Sequence, residues 1–218
     1  MLPGAGSSGL TWQRVADRLP IRVLPLPDEQ DVEPMVLRLL EQHRDLAEPR
    51  PRILVGASLG GMVAAALAPR IPHECLVIAA AGPGIRVAPS LLDWLAGTED
   101  ALAKVARMSL AEPTNETVLR IAREDLESRG RGLLHRHLTA LSRHSFIAPQ
   151  RAAALPRVLW GTADRSVPRE DHVRLAEQLQ GLVVPLPGAG HLPFLEAADN
   201  VVEALMDVAA EISTSDPN

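Results

Sequence analysis

Along the 218 residues, short runs of apolar and β-branched side chains alternate with longer stretches in which apolar positions recur every three or four residues. The short runs, Arg22 to Leu24, Arg52 to Val55, Cys75 to Ala80, Arg157 to Trp160 and Leu182 to Leu186, are bounded by proline or glycine. Such continuous apolarity predicts strands covered on both faces. The three-and-four spacing predicts helices over Leu10 to Arg18, Val32 to Leu46, Leu59 to Leu67, Arg169 to Leu179 and Ala197 to Ile212. They fall between the strands, as crossovers of a parallel sheet must, so the pattern reads as α/β with a mostly parallel, doubly wound sheet. From Ile85 to Gln150 the rhythm changes to helical periodicity without a convincing strand. This predicts a helical insertion at 85–150 in a core made of 1–84 and 151–212, followed by a disordered tail from Ser213 to Asn218.

At this length and 46% hydrophobic content the chain can bury roughly 70% of its unfolded surface, enough for one domain core. The formal charge of −5 is spread without blocks, which argues against a nucleic-acid partner. Cys75 is the single cysteine and lies in an apolar run, so no intrachain disulfide forms and the expected compartment is the cytoplasm. The opening MLPGAGSSG shows no secretory signal, and no run reaches membrane-spanning length, so no membrane partner is expected. With 2% aromatics and no tyrosine, a pocket must be walled mainly by Leu, Val, Ile and Ala. A small molecule is the expected partner.

The candidate chemistry begins at ILVGASLGGMVAAALA, a strand, a Gly-x-Ser-x-Gly turn and a helix in direct succession. A sharp strand-to-helix turn strains the serine backbone and lifts Ser58 to the carboxyl edge of the sheet, and Gly56 and Gly60 leave no side chain to clash there. The amide of Leu59 opens the helix and can face an oxyanion, favoured by the helix dipole. The bland alternative is a serine capping a helix in a glycine-rich connection. A serine hydroxyl needs a base, however, and the base needs an orienting acid.

Both follow. Asp164 lies in GTADRSVP after the strand at 157–160, and His191 lies in PGAGH after the strand at 182–186. All three loops leave the carboxyl ends of strands, where ligands of open α/β sheets bind, so Ser58, Asp164 and His191 can converge. Asp164 could instead cap the helix starting near Pro168, and His191 could be a surface-loop histidine. His43, His73 and His172 read as exposed, His144 as a solvated or cap-side residue, and Glu196 as the start of the last helix. His135 and His137 are two apart and cannot share a helix face as metal ligands. No metal or cofactor site emerges.

The elbow GASLGG, the acid loop GTADRSVP and the histidine loop GAGHLPFLE resemble those of the α/β-hydrolase family over nearly the whole chain except the insertion, which corresponds to the family's variable cap. The resemblance implies Ser58 as nucleophile, His191 as general base and then acid, and Asp164 as the orienting carboxylate. It also implies that the glycine-rich stretch Leu2 to Gly9 supplies the second oxyanion donor, the amide of Ala5, although Pro3 stands where the family usually carries histidine. The match begins at residue 2, without the strands that usually precede this loop. A naturally minimal sheet, a misassigned start and an edge covered by a second copy in a homo-oligomer all fit.

The expected activity is hydrolysis of an ester, thioester or lactone of a small to medium apolar substrate through an acyl-enzyme. A lyase, C–C bond hydrolase, cyclase or dehydratase using the same triad is the alternative, because fold and triad do not fix the reaction. A ligand receptor built on the fold is a third.

Overall fold

The computed structural model describes residues 1–49, 52–84, 87–113, 115–144, 146 and 154–215. Four parallel strands form one sheet in the order β1-β2-β3-β4: β1 Ile53–Ala57, β2 Cys75–Ala79, β3 Arg157–Gly161 and β4 Leu182–Leu186. Val55 lies opposite Val77, Val77 opposite Arg157, and Arg157 opposite Leu182. Leu2 extends the sheet beyond β1, donating to the Val55 carbonyl at 2.8 Å and accepting from the Ala57 amide at 3.0 Å.

The helices among the described residues are α1 Gln13–Ala16, α2 Val32–Gln42, α3 Leu59–Leu67, α4 Pro89–Gly97, α5 Ala101–Met108, α6 Glu116–Arg129, α7 Arg131–Arg143, α8 Arg169–Leu179, α9 Pro193–Glu196 and α10 Ala198–Ser215. Alternation along the strands sorts side chains into two layers. Leu54, Leu76, Ile78 and Val158 pack with residues of α2, α3 and α8 on one face. Val55, Val77, Ala79 and Leu159 pack with Val15 of α1 and Val201 and Leu205 of α10 on the other. The sheet is therefore wound on both faces. Ile78 and Leu159 have no solvent exposure, and burying a side chain of this size contributes about 1.5–3 kcal/mol.

Several elements differ from the sequence expectation. Arg22 to Leu24 is not a strand. The Leu24 amide does reach the Met1 carbonyl at 2.8 Å, but Pro20, Pro25 and Pro27 remove the donors a ladder would need on either side. The expected helix over Leu10 to Arg18 is a 3-10 turn at Leu10–Trp12 followed by α1, and it stops short of Pro20, which disfavours helical backbone before it. The stretch from Arg44–Ala47 is also 3-10 rather than a continuation of α2. β4, at the sheet edge, is half-exposed and holds Pro185, whose missing amide an edge tolerates.

Between β2 and β3 the described residues hold α4 to α7 and no strand; the expected insertion boundaries, Ile85 and Gln150, lie outside the described residues. Asn115 accepts the Val118 amide at 3.2 Å to start α6, and Gly130, at φ +81°, separates α6 from α7. α10 runs to Ser215, three residues into the expected tail, of which residues 216–218 lie outside the described set. Among the described residues no helix is long and apolar enough to cross a membrane.

Candidate active site

Ser58 joins β1 to α3 with φ 51° and ψ −121°, a left-handed conformation that costs a non-glycine residue about 1–3 kcal/mol. The surroundings enforce it. The Ser58 amide donates to the Ala79 carbonyl at 2.9 Å, and its own carbonyl accepts from Gly61 at 2.9 Å. A Cβ on Gly56 would lie 2.2 Å from the Gly60 carbonyl oxygen, and one on Gly60 would lie 2.2 Å from that of Leu2. Glycine at both positions is what lets strand, helix and the Leu2 segment meet at the turn.

Asp164 and His191 are brought together. Nδ1 of His191 donates to Oδ2 of Asp164 at 2.9 Å, and the Asp164 side chain has no solvent exposure. Oδ1 of Asp164 accepts the amides of Ser166 at 2.8 Å and Val167 at 3.1 Å, so it closes its own loop rather than capping α8, whose start at Pro168 has no side-chain cap. Burial pushes the Asp164 carboxyl up, but His191 and the two amides outweigh it and hold the group below the usual aspartate range. With Nδ1 committed, Nε2 of His191 is the nitrogen left for proton transfer.

The His191 loop is tied to the segment between α5 and α6. The His191 amide donates to the Ser109 carbonyl at 2.9 Å. Glu196, at the end of α9 rather than the start of the last helix, accepts from Ala111 at 2.7 Å, Gly190 at 3.0 Å and Leu192 at 3.3 Å. Burial keeps its carboxyl above the usual glutamate range against the pull of these amides.

A cavity of about 490 Å³ opens over Ser58 and His191, bounded below by Gly4, Ala5 and Trp12. Its walls are mainly apolar and come largely from the helices between β2 and β3, among them Leu91, Leu126, Leu134, Leu138 and Leu141, with Val167, Leu192 and Phe194 from outside them. A Cβ on Gly4 would sit 3.6 Å from Cβ of Ser58, which fixes how closely the glycine-rich loop approaches the serine. The amides of Ala5 and Leu59 have no hydrogen-bond acceptor among the described residues, although Leu59 has no solvent exposure and buried amides are nearly always paired. Trp12 stacks on Phe194 at 3.6 Å between ring centroids, and both line the cavity.

Two buried polar residues of α6 and α7, between β2 and β3, were missed from sequence. Asp125 of α6 has 1% exposure and accepts from the Ser7 hydroxyl at 2.5 Å, the Ser8 amide at 2.9 Å, the Leu10 amide at 3.0 Å and the Thr11 hydroxyl at 3.2 Å, as well as from the Ser8 hydroxyl. His137 of α7 has no exposure; its Nδ1 accepts the Gly6 amide at 3.0 Å, which leaves the proton on Nε2 to reach the Pro27 carbonyl at 2.8 Å. A signal existed: each falls on its helix's apolar stripe, Asp125 with Val118 and Ala122, His137 with Leu133, Leu134 and Leu141. His172, expected to be exposed, is fully buried on α8, where its position matches the stripe of Leu175, Ala176 and Leu179. Among the described residues no group of three or more His, Cys, Asp or Glu could hold a metal ion.

A parallel sheet wound on both faces, with its cavity at the carboxyl edge, places the chain among the open α/β proteins, whose ligands bind at that edge. A family model described as the alpha/beta hydrolase family matches residues 1–204, and the chain belongs to that family. Among solved structures it is similar to a thermophilic esterase, at 23% identity over 97% of this chain and 88% of that one, with a TM-score of 0.83. It is also similar to the enol-lactonase from Burkholderia xenovorans LB400, at 18% identity over 96% of this chain and 90% of that one, TM-score 0.79. The type II thioesterase BorB from the borrelidin biosynthetic cluster gives 19% identity over 95% and 90% of the two chains, TM-score 0.69. No curated protein sequence matches the chain at a significant level.

Proposed function

We propose that the protein is a cofactor-independent serine hydrolase that cleaves an ester, thioester or lactone of a small to medium apolar acyl group. The observation that carries this reading is the Asp164–His191 pair, 2.9 Å apart, whose histidine lines the cavity that the strained Ser58 also lines. In this reading Nε2 of His191 takes the Ser58 proton as Oγ attacks the carbonyl carbon, and Asp164 holds the ring in the tautomer that leaves Nε2 free. The oxyanion is bound by the amides of Leu59 and Ala5. His191 then returns the proton to the leaving alcohol or thiol, and water, activated by the same imidazole, releases the acid and restores Ser58. The helices of the insertion serve as a cap whose leucines receive the acyl group; 490 Å³ lies within the usual range for small-molecule sites. The single, buried Cys75 supports a cytoplasmic location.

A fluorophosphonate probe is expected to label Ser58, and Ser58→Ala to lower kcat by about a millionfold, as removal of the nucleophile does in a serine protease. Turnover unchanged by Ser58→Ala, or products of elimination or cyclisation with no trapped acyl-enzyme, would overturn the hydrolytic reading.

A further inference from the structure

The loop from Gly4 to Thr11 carries the Ala5 amide, and apart from Ser7, whose hydroxyl oxygen accepts the Gly9 amide at 3.0 Å, the side chains that hydrogen-bond it come from α6 and α7 rather than from the sheet. Pro3, on the core side, has no amide hydrogen and no polar side chain to offer. Asp125 gathers five donors from Ser7, Ser8, Leu10 and Thr11, one more than the roughly four lone-pair sites of a carboxylate, so no acceptor site is left open. Its position also answers the start of the Leu10–Trp12 turn, where Gly9 has no side chain to cap the first amides. His137 takes the amide of Gly6, the residue next to Ala5. Gly6 itself lies against α7: its φ is +69°, and a Cβ there would meet Leu134 at 3.0 Å.

These contacts fix Ala5 from both sides. Gly4 lies against Ser58, and the peptide between Ala5 and Gly6 is held by His137, so the two soft dihedrals of Ala5 have little freedom left. Among the described residues Asp125 forms no ion pair, and a buried carboxylate without a cation is costly unless every lone pair is used. A contact that only joined two segments could be apolar. A carboxylate and a neutral imidazole instead dictate where amide hydrogens point.

We infer that Asp125 and His137 are positioning residues for the Ala5 amide, so that the insertion builds part of the oxyanion site as well as covering it. The inference rests on the hydrolase reading above, and the wild-type chain is therefore measured first, with p-nitrophenyl esters and a fluorophosphonate probe. A wild type that neither turns over esters nor labels at Ser58 overturns that reading and the inference with it.

With an active wild type, Asp125→Asn and His137→Leu are compared for kcat, KM and inhibition by an arylboronic acid, which forms a tetrahedral anionic adduct on a serine. The expected result is a fall in kcat of about tenfold to a hundredfold, less than the loss of a whole donor, with KM within about twofold and boronate affinity falling in parallel with kcat. His137→Gln, which keeps an acceptor for the Gly6 amide, is expected to recover most of the loss. If Asp125→Asn does not fold, the pair His137→Leu and His137→Gln decides. Folded variants with kcat and boronate affinity unchanged, or with KM raised alone, would overturn the inference while leaving the hydrolase reading intact.

Discussion

One carboxylate oxygen of Glu196 accepts the amide of Ala111 at 2.7 Å, and the other accepts those of Gly190 and Leu192, the two neighbours of His191. A single side chain thus joins the loop of the candidate base to the segment between α5 and α6. Glu196→Ala would leave three partly buried amides without an acceptor and free the loop to move. The expected cost is about 2 kcal/mol, or roughly 4–8 °C in melting temperature for a chain of this size. A fall in kcat should accompany it. Differential scanning calorimetry showing no change in melting temperature would sink the structural half of this prediction.

Asp164 does two jobs with two oxygens, and Asn separates them. Asp164→Asn can keep Oδ1 on the amides of Ser166 and Val167 while placing an amide nitrogen toward Nδ1 of His191. The loop should survive, and the imidazole should settle in the wrong tautomer. Expected values are a fall in kcat of about ten-thousandfold, as for the equivalent change in a serine protease, and a nearly unchanged melting temperature. Equal activity of Asp164→Asn and wild type would assign Asp164 to the turn alone.

Ser58 holds φ at 51° without a glycine's freedom, so Ser58→Gly should relieve strain that Ser58→Ala retains. Relief of about 1–3 kcal/mol is partly offset by about 0.5–1 kcal/mol of extra unfolded-state entropy, leaving a net gain near 1 kcal/mol. That corresponds to about 2–4 °C in melting temperature. The comparison of the two inactive variants isolates the backbone. A Gly variant melting no higher than the Ala variant would show that the turn stores no usable strain.

What could be read in advance follows from how local each signal is. Ser58, Asp164 and His191 each lie in a short loop directly after an apolar run, so their shared sheet edge follows from chain order alone. Asp125 and His137 bond to residues 118 and 131 positions away, and nothing in their own neighbourhood names those partners. The stripe on α6 or α7 could have flagged a polar residue in an apolar row, but not what it holds. At Arg22 to Leu24 the apolar run was genuine and the flanking prolines decided against a ladder. His172 was misplaced because Arg169, Glu170 and Asp171 make its surroundings look solvated, whereas its own position faces the core.

The buried histidines give stability a pH dependence whose sign can be worked out. Burial lowers the pKa of His137, His144 and His172 below the ordinary histidine value of about 6.5. For His137 the nearby Arg129 and Arg136 add to the lowering, while the Pro27 carbonyl and Asp28 oppose it. For His172 the Pro168 carbonyl, Asp164 and Asp171 oppose burial, and His191 adds to it. As pH falls through about 6.5 the unfolded chain protonates these rings before the folded one does, so the unfolded state holds more protons and stability falls. The contribution is complete above about 6.5 and is lost progressively below it; the lowered pKa of Asp164 acts in the same direction below about 4. Melting temperature should therefore decline from about pH 6.5 downward. His172→Leu removes one titrating ring together with a buried Nε2 that has no hydrogen-bond partner among the described residues, and should flatten the decline. Melting curves that hold steady or rise between pH 6.5 and 5 would show that the three rings are not kept neutral by the fold.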